Sequence, residues 1–145
     1  MEKKITSDAL MRISRIVTFN AAHRLHSKHL SEEENKELYG KCNRINGHGH
    51  NYKVKVTLQG PVSPTTGLVA NLTDLKVLLK TILEELDHKN LDMDIAYFQD
   101  AVSSVENIAM YLWMRLKETE MLHDNSLLYK VKVWETELSM ASYRG

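Results

Sequence analysis

The run Asn46-Gly47-His48-Gly49-His50 leads without a break into alternating residues, with Tyr52, Val54, Val56 and Leu58 on one parity and Asn51, Lys53, Lys55 and Thr57 on the other. Period-two alternation specifies a strand with one face against a core. Both histidines fall on the apolar parity, so a sheet built from this strand carries two imidazoles side by side on its buried face. A second alternating stretch, Arg12 to Arg24, puts Ile13, Val17, Phe19 and Ala21 on one parity together with His23, with Arg15 the exception. Glycine at position 49 removes a side chain from the opposite face, and His23 on a neighbouring strand supplies a third imidazole. Three neutral nitrogen donors suit zinc and leave one coordination position open, which is the arrangement of a catalytic site rather than a closed structural one. His26, His29 and His123 share no such pattern and read as surface residues.

The rest of the chain supplies the scaffold. Residues 1–10 read as a flexible polar arm, and 11–145 as a single domain. Leu30 to Tyr39 resembles a short acidic helix capped by Ser31 and closed by Gly40. Two prolines and a glycine between Pro61 and Gly67 make a turn. A helix follows from about Thr73 to Leu86, with Leu75, Leu79, Ile82, Leu83 and Leu86 on one stripe. A second helix opens at Ser103, where Ser103-Ser104-Val105-Glu106 fits a capping box, and runs to about Thr119. Leu127 to Glu135 alternates again, and Ser139 to Tyr143 completes a hairpin. The order strand, strand, helix, helix, strand, strand predicts an α+β domain with an antiparallel four-stranded sheet and two helices on one face.

Charge excludes two classes of partner. Nineteen basic and nineteen acidic residues balance without long blocks, which argues against nucleic acid and anionic membranes. No apolar run is long enough to span a bilayer, and the start lacks a secretory h-region, so a soluble, cytoplasmic protein is expected. The solitary Cys42 fits a reducing compartment. A loop can fold this thiol back towards the histidines as a fourth ligand, a base, or an inert buried group. Asp87-His88 closes the first long helix, where a carboxylate can orient and charge an imidazole for proton transfer, or the histidine simply caps the helix. Glu135 continues the parity of Val131 and Val133, and a carboxylate at a buried position needs a partner.

Taken together, Phe19 to Leu25, Gly40-Lys41-Cys42-Asn43, Asn46 to Tyr52, Leu86 to Asp92, Glu106-Asn107, Trp134-Glu135-Thr136 and Tyr143-Arg144-Gly145 resemble the motif series of the 6-pyruvoyltetrahydropterin synthase family. The resemblance covers nearly the whole chain after the first ten or so residues. It implies the tunnelling fold, an oligomeric barrel assembled as a homohexamer from two trimers, and active sites at subunit boundaries. The implied reaction is conversion of 7,8-dihydroneopterin triphosphate to 6-pyruvoyl-tetrahydropterin with elimination of triphosphate, in tetrahydrobiopterin biosynthesis. By the same resemblance His23, His48 and His50 are the Zn2+ ligands, Cys42 is the proton acceptor, and Asp87 and His88 form a relay. Glu135 anchors the pterin ring and joins the proton relay as a catalytic residue, Glu106 binds substrate, and Mg2+ accompanies the triphosphate.

Three departures lie near these motifs. Ser104 and Val105 stand where a Thr-Thr pair is common, Arg44 and Ile45 replace a common Asn and Pro, and Leu138-Ser139-Met140 lacks an asparagine often found there. Arg44, Lys41 and Arg24 lie close in sequence to the metal motif and are candidates for adding positive charge towards the triphosphate. Two rivals differ in kind. A 6-carboxytetrahydropterin synthase would typically space its cysteine closer to His-Gly-His, and a non-catalytic, zinc-stabilised pterin-binding or assembly module would keep the fold without turnover.

Overall fold

A computed structural model of the chain describes residues 9–123 and 127–145. The two alternating stretches pair antiparallel along their full length as β1 (Leu10–His23) and β2 (His48–Pro61), with Val17 opposite Val54, Ala21 opposite His50 and His23 opposite His48. The expected arm therefore ends earlier than residue 10, since Leu10 already pairs with Pro61; residues 1–8 lie outside the described residues. β4 (Leu128–Thr136) pairs with β2, and β5 (Ser139–Tyr143) with β4, both antiparallel.

Among the described residues the sheet has five strands rather than four. A two-residue β3 (Lys89–Asn90) runs parallel to β1 at Ala21 and Ala22, giving the order β3-β1-β2-β4-β5 and a mixed sheet. Two residues are too few to show alternation, so this strand leaves no periodic signal in the sequence. It is created by the turn before it. The Asp87 carboxylate accepts from the Asn20 N–H at 2.8 Å, and the His88 N–H donates to the Asn20 carbonyl at 2.5 Å.

Among the described residues five α-helices fill the connections. α1 (Glu32–Tyr39) carries the expected Ser31 cap and a complete capping box with Glu34, and a 3-10 turn (Gly40–Asn43) follows it. α2 (Leu72–Glu84) is capped by Asn71, and the one-turn α3 (Leu91–Asp94) and α4 (Tyr97–Asp100) lead to α5 (Val105–Lys117). The cap of α5 is Ser104, which accepts from the Asn107 N–H, and not the expected Ser103; Ser103 is fully buried.

α2 and α5 pack on the face of the sheet that carries the odd positions of β1 and the even positions of β2. There Phe19, Tyr52, Val54, Val56 and Leu58 meet Leu75, Leu79, Leu83, Ile108 and Leu112. A fully buried leucine contributes about 1.5–3 kcal/mol by leaving water, so this interface is the main source of stability. The histidines of β1 and β2 extend the same face beyond the apolar core.

Candidate metal centre

Because His23 pairs with His48 and Ala21 with His50, the three histidines occupy adjacent positions on one face of two neighbouring strands. Their ring centroids lie 4.7–5.1 Å apart and the rings of every pair are steeply inclined to one another. Glu135 at the end of β4 completes the group, its Oε1 3.2 Å from Nε2 of both His23 and His50. One donor atom from each of the four residues lies within 4.8 Å of the others.

Gly47 makes the approach possible. Its φ of +71° is left-handed, and a Cβ there would stand 2.8 Å from the His23 carbonyl oxygen, closer than van der Waals contact allows. Gly49, to which the sequence reading gave that role, is exposed and would place a Cβ at an ordinary 3.4 Å from the Ala21 carbonyl. Its lack of a side chain is not what lets the imidazoles meet.

The exit of β1 is fixed by hydrogen bonds from several elements. The Arg24 N–H donates to Asp92 at 2.6 Å, and the Leu25 N–H donates to the Cys42 carbonyl at 2.9 Å. Asn43 donates to the Leu25 carbonyl at 2.7 Å and contacts His26 Nδ1 at 3.0 Å. His26 is thus half-buried and bonded rather than a free surface residue, whereas His29 and His123 are exposed. The 3-10 turn is tied to the strand through the Cys42 backbone, and the thiol itself is half-buried.

Electrostatics favours a cation here. His23 is completely buried, and its Nδ1 lies 2.7 Å from the Ser103 carbonyl. A carbonyl only accepts, so Nδ1 is the donor, and in the neutral ring Nε2 presents its lone pair to the cluster. Nε2 of His23 and of His50 are both buried without a hydrogen-bond partner, a cost that a bound cation removes. Burial first, then the neighbouring His23, holds the pKa of His48 below its ordinary value. Burial also lowers that of His50, against the raising effect of Glu135. Both rings are therefore mainly neutral at pH 7, the form that binds metal. The neighbouring His23, against the cost of burial, is the chief influence holding the Glu135 carboxyl below its ordinary value. With the imidazoles in the neutral form that binds metal, the one carboxylate leaves a negative charge that a divalent ion neutralises, so the donor set fits a metal ion.

A match to the family model described as 6-pyruvoyl tetrahydropterin synthase spans residues 12–145. The chain belongs to this family. The 6-pyruvoyl tetrahydrobiopterin synthase of Homo sapiens is 53% identical over 135 residues, covering 92% of this chain and 91% of that protein. The Drosophila melanogaster synthase is 49% identical over 138 residues, covering 92% of this chain and 79% of that protein. The solved structure of the Caenorhabditis elegans 6-pyruvoyl tetrahydropterin synthase superposes with a TM-score of 0.90 at 45% identity, covering 97% of this chain and 99% of that one.

Against the pterin synthase motifs the structure brings His23, His48, His50 and Glu135 together as one group, of which Cys42, Asp87, His88 and Glu106 are not members. The Glu135 carboxylate, expected at the pterin ring, faces the histidines. Asp87 lies 3.0 Å from His88 Nδ1, and the His88 side chain is 81% exposed. Glu106 is exposed in the first turn of α5, one turn beyond the Ser103 carbonyl that holds His23. Sequence reasoning missed Ser103 and Asp92 as supports. Ser103 gave no signal because its backbone does the work, but Asp92 stood within the Leu86 to Asp92 motif.

Proposed function

We propose that this chain converts 7,8-dihydroneopterin triphosphate to 6-pyruvoyl-tetrahydropterin with loss of triphosphate, using a zinc ion held by His23, His48 and His50. Family membership supports the reaction, and the observation that carries the site is the convergence of three histidines and Glu135 within 4.8 Å. Zinc bound there would supply Lewis acidity to the side-chain oxygens of the pterin, acidifying the neighbouring C–H and O–H groups.

The protein's own groups then move the protons. Cys42 is the acceptor, on a turn bonded through its carbonyl to the strand end just past His23. Asp87, held by the Asn20 N–H, orients His88 as the relay imidazole. Glu106 binds the pterin from the first turn of α5. Glu135 has a carboxylate oxygen 3.2 Å from two of the metal-binding nitrogens and couples the ligand set to the reacting substrate and to the ring. The exposure of His88, away from the cluster, suits an active site completed between copies of the chain in a hexamer of two trimers with a closed barrel. Magnesium accompanies the triphosphate. No helix among the described residues is long and apolar enough to cross a membrane, and the reading places the enzyme in the cytoplasm.

Two of the sequence departures fall at positions with a structural role in α5. Ser104 caps α5, as a threonine could. Val105 is buried in the core, so its methyl groups replace no hydroxyl on the surface. Incubating the zinc-loaded full chain with 7,8-dihydroneopterin triphosphate should release inorganic triphosphate and the pyruvoyl product in equal amounts. Stoichiometric zinc with no release of triphosphate overturns the reading.

A further inference from the structure

Arg15 breaks the apolar face of β1, and among the described residues its side chain has no hydrogen-bond or ion-pair partner. It lies between Ile13 and Val17 on the inner parity, its Nε is buried, and that atom has no hydrogen-bond partner. A buried guanidinium nitrogen left unsatisfied costs free energy that a bound anion would recover. Arg15 lines a cleft between β1 and α2, together with Lys76 and Lys80 one helical turn apart on α2. Among the described residues none of these three cations makes an ion pair. Two carboxylates share the cleft. Glu84 is exposed, and Asp87 is engaged by the Asn20 N–H and by His88.

We propose that this cleft binds the triphosphate chain of the substrate. The inference rests on the reaction proposed above. Asp87 lies both in the proton relay and on the cleft wall, so a substrate whose side chain reaches the relay extends its phosphates towards Arg15, Lys80 and Lys76. The Arg15 guanidinium offers a planar fork to phosphate oxygens, and the two ammonium groups add charge without fixed direction. The competing location is the loop after β1. There Arg24 already donates from Nε to the Asn43 carbonyl at 2.7 Å, and Lys41 and Arg44 are exposed.

The test is calorimetric titration of the zinc-loaded full chain with inorganic tripolyphosphate, and separately with phosphate-free 7,8-dihydroneopterin, between about 0.01 and 0.15 M ionic strength. Arg15→Gln and Lys80→Gln should each weaken tripolyphosphate binding about tenfold and flatten its salt dependence. Both should leave zinc content and dihydroneopterin affinity unchanged. The proposal is overturned if the wild-type chain does not bind tripolyphosphate, if both variants bind it as wild type does, or if Arg44→Ala alone removes binding. Should Arg15→Gln lose zinc and both ligands together through misfolding, Lys80→Gln on the exposed helix surface decides. A wild-type chain that binds tripolyphosphate in the cleft but releases none from substrate would sink the enzymatic reading and leave the anion site standing.

Discussion

His23 donates its Nδ1 proton to the Ser103 carbonyl oxygen at 2.7 Å, joining the last residue of β1 to the residue before the α5 cap. This bond fixes the ring's tautomer and aims Nε2 at the point where His48, His50 and Glu135 meet. A backbone acceptor cannot be lost by side-chain substitution, so the geometry of the histidine cluster depends on α5 being docked against the sheet.

Glu135→Gln removes the one charged donor of the set while keeping its shape. Zinc affinity should fall about tenfold or more, as for loss of a group that supports a metal site. Competition against a chromophoric chelator at pH 7 measures it, and an affinity equal to wild type would show that Glu135 does not act on the metal.

Gly47→Ala and Gly49→Ala separate two glycines that look alike in the sequence. At position 47 the left-handed φ and the 2.8 Å approach to the His23 carbonyl combine, and neither partner is a flexible side chain. The expected loss is about 2 kcal/mol or more, with weakened zinc retention. Gly49→Ala should stay within about 0.5 kcal/mol of wild type. Denaturant unfolding compares them, and equal losses at both positions would contradict this account of how β2 meets His23.

His88 holds a φ of 61°, unusual for a residue other than glycine. His88→Gly should leave stability unchanged or raise it by about 1 kcal/mol at most. If the imidazole relays protons, turnover should nevertheless drop about a hundredfold or more. A stable variant with near wild-type turnover would remove His88 from the mechanism.

Arg115 holds Glu85 through Nη2–Oε1 at 2.6 Å and Nε–Oε2 at 3.2 Å, and the Tyr111 hydroxyl donates to the same carboxylate at 3.3 Å. The Arg115 hydrogen bonds come first among the causes that lower the Glu85 pKa, with burial opposing. A depressed folded-state pKa means that the stabilisation is present above the unfolded glutamate value of about 4.3 and is lost as pH falls through the folded value. Glu85 is 41% exposed, so solvent screening limits the effect to the order of 1 kcal/mol. Glu85→Gln should be less stable than wild type at pH 7, and the gap should close as pH falls below about 4. A gap unchanged down to pH 3 would contradict the assignment.

The four long strands and the two long helices were legible in the sequence because each carries a periodic apolar face, and β2 gave its histidines with it. The convergence of His23 with His48 and His50 was legible for the same reason, since parity alone sets which face a strand residue takes. Glu135 was legible as a carboxylate on the inner parity, and the structure makes it half-buried; its partner was not legible, because parity gives a face and no register between β2 and β4. β3 was hidden by its length, and the choice of Ser104 over Ser103 as the cap turned on one residue of offset. Arg15 stood out as a polar residue on an apolar face, yet only the packing of α2 shows that it opens onto a cleft instead of pairing in the core.

Whether His23, His48 and His50 hold one divalent ion is decided by X-ray absorption at the zinc edge, on protein loaded with zinc and dialysed against a weak chelator. The proposed site requires one zinc per chain with three imidazole nitrogens at about 2.0–2.1 Å. A first shell without imidazole, or protein that keeps no zinc, would contradict it.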